Sequence, residues 1–282
     1  MTSPDATEHL ARLLREARAG AKISTRDMAA ALGMSQARVS RMENGLAGVT
    51  PDMARAWAEA AGLAQSQTAA LIQASQQGGG THKLRGNVAI QAAGLAKRQR
   101  DMDEIRQAMT SFAELNITVV PGLLQMPEYA TVIMRELAGL SSAADVGAAV
   151  AARMNNQAIL YDESRTFSFV IAEPALHYIA GPKSLLAAQA RKITDMMALP
   201  NISVSVLPNE AFAKSAILSG FIIYEVPDEP LVLVELLAGE ATYTAVPDVQ
   251  LYRDSFTEIR KHAVTGRKAA EMIRRAAQSE TE

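Results

Sequence analysis

Residues 24–45 read STRDMAAALGMSQARVSRMENG, two short helical stretches separated by one glycine. Few arrangements satisfy that pattern. Ser24 is placed to cap the first stretch, and Asp27, three residues on, stands in for the glutamate of a capping box. Met28, Ala31 and Leu32 give the helix an apolar face, and Gly33 breaks it. Ser35 caps a second helix whose Val39 and Met42 face inward. Gly45 stops that helix, because glycine takes a left-handed conformation with little strain. The residues left pointing outward are Gln36, Ala37, Arg38, Ser40 and Arg41. A short helix with amides and guanidiniums near its exposed N-terminus suits base edges and phosphates in a DNA major groove.

The stretch resembles the helix-turn-helix of Cro/CI-type (XRE) repressors. The matching residues are Met28-Ala29-Ala30, Gly33, Ser35-Gln36, Val39-Ser40 and Met42-Glu43-Asn44-Gly45. The resemblance implies DNA contacts from Thr25, Arg26, Ser35, Gln36, Ala37, Arg38, Ser40, Arg41 and Asn44. It also implies that Arg18 pairs with Glu43, tying the first helix to the second of the pair. One departure is Thr25, a shorter arm where such repressors usually carry glutamine. A helical hairpin used only for protein contact is the plainer alternative.

The flanks fit a five-helix all-α domain over residues 1–75. Leu10, Leu13, Leu14 and Ala17 line one side of a helix from Glu8 to Arg18. Thr50-Pro51 opens a fourth helix, with Trp57 as its core anchor, and Leu63 to Ala74 reads as a fifth.

The chain has 282 residues, which suits two domains. It contains no cysteine, and this excludes disulfides, a thiolate nucleophile and cysteine-ligated zinc. No apolar run approaches the roughly 20 residues of a membrane span, and the first residues lack a signal-peptide pattern, so a cytoplasmic, nucleoid-associated protein is expected. Net charge is −2 overall but uneven. Residues 1–80 carry +1, residues 81–106 +3, residues 107–255 −8 and residues 256–282 +2. Phosphate neutralisation supplies much of DNA affinity, so this balance predicts modest long-range attraction and a dimer that doubles its contacts.

Residues 76–86, QQGGGTHKLRG, read as a linker. A phosphate-binding loop there would need the GxxxxGK[ST] spacing, which is absent. Residues 87–116 read as a connecting helix. Val88, Leu95, Met102 and Met109 fall seven apart, with Ala92, Ile105 and Phe112 near companion positions, an imperfect heptad seam interrupted by Gly94, Arg98 and Gln99. It serves either dimerisation or packing on its own domain.

Residues 117–282 mix helices with strands at Phe167–Ile171, Ile202–Leu207, Ile217–Val226 and Leu231–Leu237. Without regular βαβ alternation, the expectation is an α+β domain on a small, mostly antiparallel sheet. VVPGLLQMPEYA at 119–130 resembles the PGLLQTPEYA signature of a C-terminal domain of unknown function in actinobacterial, antitoxin-like regulators, with Met126 in place of threonine. FSFVIAEPAL, PNISVSVLP, SGFIIYEVP and LVLVELLAGE follow in that family's order. The resemblance implies a small protein from a neighbouring gene as a partner, and leaves any small-molecule effector open.

Catalysis finds little support. Glu173 and His177 lie one helical turn apart, as an acid/base or metal pair requires, yet a glutamate stabilising a helix start is the simpler reading. Arg153, Glu173, His177 and Glu235 are candidates for a ligand or partner pocket, or for an internal ion-pair network. The expectation is a non-enzymatic, dimeric transcriptional repressor without metal or cofactor. It would read a palindromic double-stranded operator with helices about 34 Å apart. The alternative is an antitoxin-like protein whose main role is neutralising a small partner.

Overall fold

The computed structural model describes residues 4–45, 47–78, 82–86, 102, 105–137, 143–177, 183–215, 217–227, 230–236 and 239–278. Contacts divide the chain into two compact units. One comprises Met1–Met109 with Ile223–Arg253, the other Thr110–Ile222 with Asp254–Glu282.

In the first unit, five helices precede the first strand among the described residues: α1 (Pro4–Gly20), α2 (Thr25–Ala31), α3 (Gln36–Glu43), α4 (Pro51–Ala60) and α5 (Gln65–Gly78). Local chemistry sets their starts. The hydroxyls of Ser24, Ser35 and Thr50 accept the amides of Asp27, Arg38 and Met53 at 3.1, 3.3 and 3.2 Å. Each pair satisfies a donor that the first helical turn leaves unused. After α2 and α3 the chain turns through Gly33 (φ 64°) and Gly45 (φ 63°), a left-handed conformation costly for other residues. The helices close over Leu10, Leu14, Met28, Val39, Met42, Trp57 and Leu71. Trp57 is wholly buried, and its indole N–H donates to Leu14 O at 3.1 Å, so its large apolar area is buried without an orphaned donor.

The same unit holds β1 (His82–Gly86), β6 (Leu231–Leu236) and β7 (Gly239–Tyr243). β7 is antiparallel to both neighbours, with Val232 and His82 each opposite Tyr243. Leu231 to Val234 are all buried, so β6 is covered on both faces. In the segment read as a linker, helix α5 runs through Gly78 and His82–Gly86 forms a strand.

In the second unit, β2 (Ser111–Asn116), β3 (Thr166–Ala172) and β4 (Ile202–Leu207) are parallel, and the two-residue β8 (Val264–Thr265) lies antiparallel to β4. Helices α6 (Pro127–Leu137) and α7 (Ala143–Asn156) lie between β2 and β3 in sequence. Helices α8 (Glu173–His177) and α9 (Lys183–Met196) lie between β3 and β4. Then come α10 (Asn209–Lys214), β5 (Phe221–Glu225), α11 (Val246–Lys261) and α12 (Gly266–Ala276), of which β5 and α11 divide between the two units after Ile222 and Arg253. Phe112 of β2 meets Phe167 and Phe169 of β3, with ring centroids 6.0 and 5.6 Å apart. Backbone approach is tight at Gly220, where a Cβ would lie 2.6 Å from Leu115 O.

The expectation of a small, mostly antiparallel sheet is corrected. Among the described residues the sheet is mixed, with seven strands of five to seven residues and the short β8. The physical cause is β2. SFAELN continues the apolar spacing of the preceding helix and was assigned to it, whereas helical structure is described at 105–108 and Ser111–Asn116 is extended. With β2 restored, strand–helix–strand alternation appears, and parallel strands need such long crossovers. Ile117–Val120 is irregular. Most of the heptad seam, including Val88, Ala92 and Leu95, lies outside the described residues.

Candidate nucleic-acid interface

The exposed side of α2 and α3 is built on a short polar frame. Thr25, the first residue of α2, accepts a hydrogen bond from Gln36 Nε2 at 3.0 Å. The bond joins the N-terminal ends of the two helices and fixes the carboxamide of Gln36 in the open. Gln36, Ser35 and Arg26 are exposed. Thr25, Ala37, Arg38, Ser40 and Asn44 are half-buried. Arg38 reaches towards α4, with Nη2 3.8 Å from Met53 Sδ. Asn44 donates to Ser40 O at 2.8 Å, which closes the last turn of α3. Arg41, expected on the outer face, is only 2% exposed.

The far end of α3 is clamped to α1. Arg18 Nε and Nη2 donate to the two carboxylate oxygens of Glu43 at 2.5 and 2.9 Å, and Arg18 Nη1 donates to Ile23 O at 2.8 Å. This fork-on-fork geometry suits guanidinium and carboxylate. The bond to Glu43 raises the Arg18 pKa above its ordinary value, against the opposing effect of burial. Arg15 adds a bond to Glu43 O at 2.6 Å, a contact the sequence reading missed. The available signal was its position one turn before Arg18.

The candidate pocket residues serve separate frameworks. Arg153 Nη1 donates to Gln125 Oε1 at 2.6 Å, and Gln125 Nε2 donates to Val120 O at 2.7 Å. Gln157 donates to Gln125 O at 2.5 Å. Gln189 donates to Leu124 O and accepts the Met126 amide, at 2.8 and 2.9 Å. These three glutamines are buried, at 1, 8 and 1% exposure for Gln125, Gln157 and Gln189, and hold the backbone of 120–126. Glu173 accepts the Asn209 amide at 2.8 Å at the start of α10. His177 ends α8, and Glu235 is an exposed residue of β6 directly opposite Glu240. Among the described residues no group of three or more His, Cys, Asp or Glu is placed to hold a metal ion. No described helix is long and apolar enough to cross a membrane.

Comparison with known families matches residues 9–71 to a helix-turn-helix domain and residues 99–275 to a domain of unknown function, DUF5753. The second match spans more than half of the chain. The chain belongs to the DUF5753 family. In this DUF5753 protein the Pro-Gly-Leu-Leu-Gln turn lies inside the matched region, and the capped pair α2–α3 lies inside the helix-turn-helix match. No curated protein matches the chain. The N-terminal part is therefore a helix-turn-helix domain, an element that binds DNA.

Proposed function

We propose that this DUF5753 protein is a sequence-specific transcriptional regulator, a repressor of the Cro/CI type, that binds a palindromic operator as a dimer. The observation that carries the reading is the Thr25–Gln36 bond at the exposed start of α3. A glutamine oriented before DNA arrives presents both an acceptor and a donor to a base edge, the pairing adenine offers at N6 and N7. Arg38 and Arg26 supply charge beside it, and the Arg18–Glu43 clamp fixes the tilt of α3. The remaining DUF5753 residues receive a signal from a ligand or a protein partner. Their acidic excess, −8 over residues 107–255, favours a basic partner and supports the second reading, an antitoxin-like protein that neutralises a small neighbour. The reading assigns no catalysis, since Glu173 is engaged by a backbone amide.

The test is selection of bound duplexes by the purified protein and by Gln36→Ala and Thr25→Val variants. Gln36→Ala is expected to cost about 1–3 kcal/mol and to relax preference at one position of each half-site. Thr25→Val is expected to weaken the same preference less. Equal sequence selection by all three proteins would remove the proposed role of Gln36, and no selection by any of them would remove the regulator reading.

A further inference from the structure

The exposed face of α12 carries Arg267, Lys268, Arg274 and Arg275, with Glu271 as its one acidic residue. The opposite face, Ala269, Ile273 and Ala276, is buried against β4 and α9. The orientation of the helix is therefore set by packing, and the cations are held outward. Lys268 and Arg275, and likewise Arg267 and Arg274, are seven residues apart, about 10.5 Å along the axis. Arg267 meets Glu271 at 3.3 Å, but with 91 and 55% side-chain exposure such a pair neutralises little. Among the described residues Lys268, Arg274 and Arg275 have no ion-pair partner.

Cations in the last turn of a helix are favoured by its dipole, and Arg274 and Arg275 need no other cause. Arg267 and Lys268 sit in the first turn, where the dipole opposes positive charge and acidic residues are absent. The sequence keeps them there at a local cost, in a C-terminal stretch, residues 256–282, of net charge +2. We infer that the outer face of α12 is a second DNA contact, a rigid row of cations that binds duplex phosphates without reading bases. The inference rests on the DNA-binding reading above, and charge complementarity selects the partner. A helix fixed by its apolar face, with cations in two ranks, suits a regular polyanion.

The experiment measures binding of the full chain to duplexes across a salt series, for the wild type, for Lys268→Gln/Arg274→Gln/Arg275→Gln, and for Lys268→Gln alone. The logarithm of the association constant falls with the logarithm of salt by about 0.9 per phosphate neutralised. The triple variant is expected to lower that slope by about 2–3 and to weaken binding by about two to three orders of magnitude at about 0.1 M salt, on specific and random duplexes alike. The single variant is expected to lower the slope by about 0.9 with no loss of thermal stability, because it removes a charge the dipole opposes. Wild-type binding with unchanged slopes in both variants would overturn the inference and leave the regulator reading intact. A fall in sedimenting mass in the triple variant at constant slope would overturn it in favour of contact with a second copy. Failure of the wild type to bind any duplex would instead refute the DNA-binding reading.

Discussion

The helix-turn-helix and the turn at 120–126 are both held by side chains bonded to backbone groups, over very different spans of chain. In the first, Ser24, Ser35 and Thr50 each bond an amide three residues away. In the second, Gln125 bonds Val120 five residues away, Gln157 reaches Gln125 across 32, and Gln189 reaches Leu124 across 65. The first set lies at exposed helix starts, where water is the competitor. The second is buried, where losing a partner exposes the full desolvation cost of the group left behind. Similar bonds therefore start helices in one region and fix a backbone trace in the other. The helix-turn-helix domain has long-range polar contacts of its own: Trp57 to Leu14 O, Arg15 to Glu43 O and the ion pair of Arg18 with Glu43.

The largest effect is expected at the buried knot. Gln125→Ala removes the acceptor of Arg153 and the donor to Val120 O in one step. Leaving a buried carbonyl and a guanidinium short of partners is expected to cost about 3–5 kcal/mol. Denaturant unfolding of the full chain would measure it. A cost below about 1 kcal/mol would mean that water replaces the amide, and the contrast with the helix caps would disappear.

Next comes the clamp. Glu43→Ala leaves Arg18 without its carboxylate, in a site where both side chains are largely covered. The expected cost is about 2–4 kcal/mol, and α3 keeps its cap but loses its tie to α1. Circular dichroism melts would give the stability change. A loss equal to that of Gln125→Ala would place the clamp with the buried knot. A loss within about 0.5 kcal/mol would place it with ordinary surface pairs.

Ser35→Ala tests the local end of the scale. It removes one acceptor at the start of α3 and is expected to cost about 1 kcal/mol. A cost near that of Glu43→Ala would show that the cap also carries long-range structure.

What was legible in the sequence follows the same division. The caps at Ser24, Ser35 and Thr50, the glycine stops at Gly33 and Gly45, and the anchor Trp57 are written within single turns, and all stand in the structure. The Arg18–Glu43 pair spans 25 residues and was reached only through resemblance to a family. Burial of Arg41 was missed because neither its charge nor its phase, two residues beyond Val39, signals it. The glutamine knot carries no local signal, since a buried amide and a solvated one look the same in sequence. β2 was hidden by spacing that fits a helix as well as a strand, and the sheet type was lost with it.

The smallest effect is a pH dependence confined to the first unit. Tyr252 of α11 lies against Tyr243 of β7, with ring centroids 5.4 Å apart and the planes tilted by 44°. Burial, with a smaller contribution from Tyr243, raises the Tyr252 pKa to about 12. An unfolded tyrosine ionises near 10, as an order of magnitude. The folded state thus holds this proton more tightly, so the stabilisation is complete below pH about 10 and is lost as pH rises towards about 12. Phenolate absorbance should show one late-titrating tyrosine that Tyr252→Phe abolishes, and the variant's stability should fall less steeply over that range. This contact links residues nine apart, between the span of the caps and that of the knot, and its loss at alkaline pH leaves the neighbouring ion pair of Arg253 with Glu225 in place. That pair raises the Arg253 pKa, so its cation persists where Tyr252 has ionised. If Tyr252 instead titrates near 10, its side of the α11–β7 contact is open to water. That contact would then rank with the exposed helix caps.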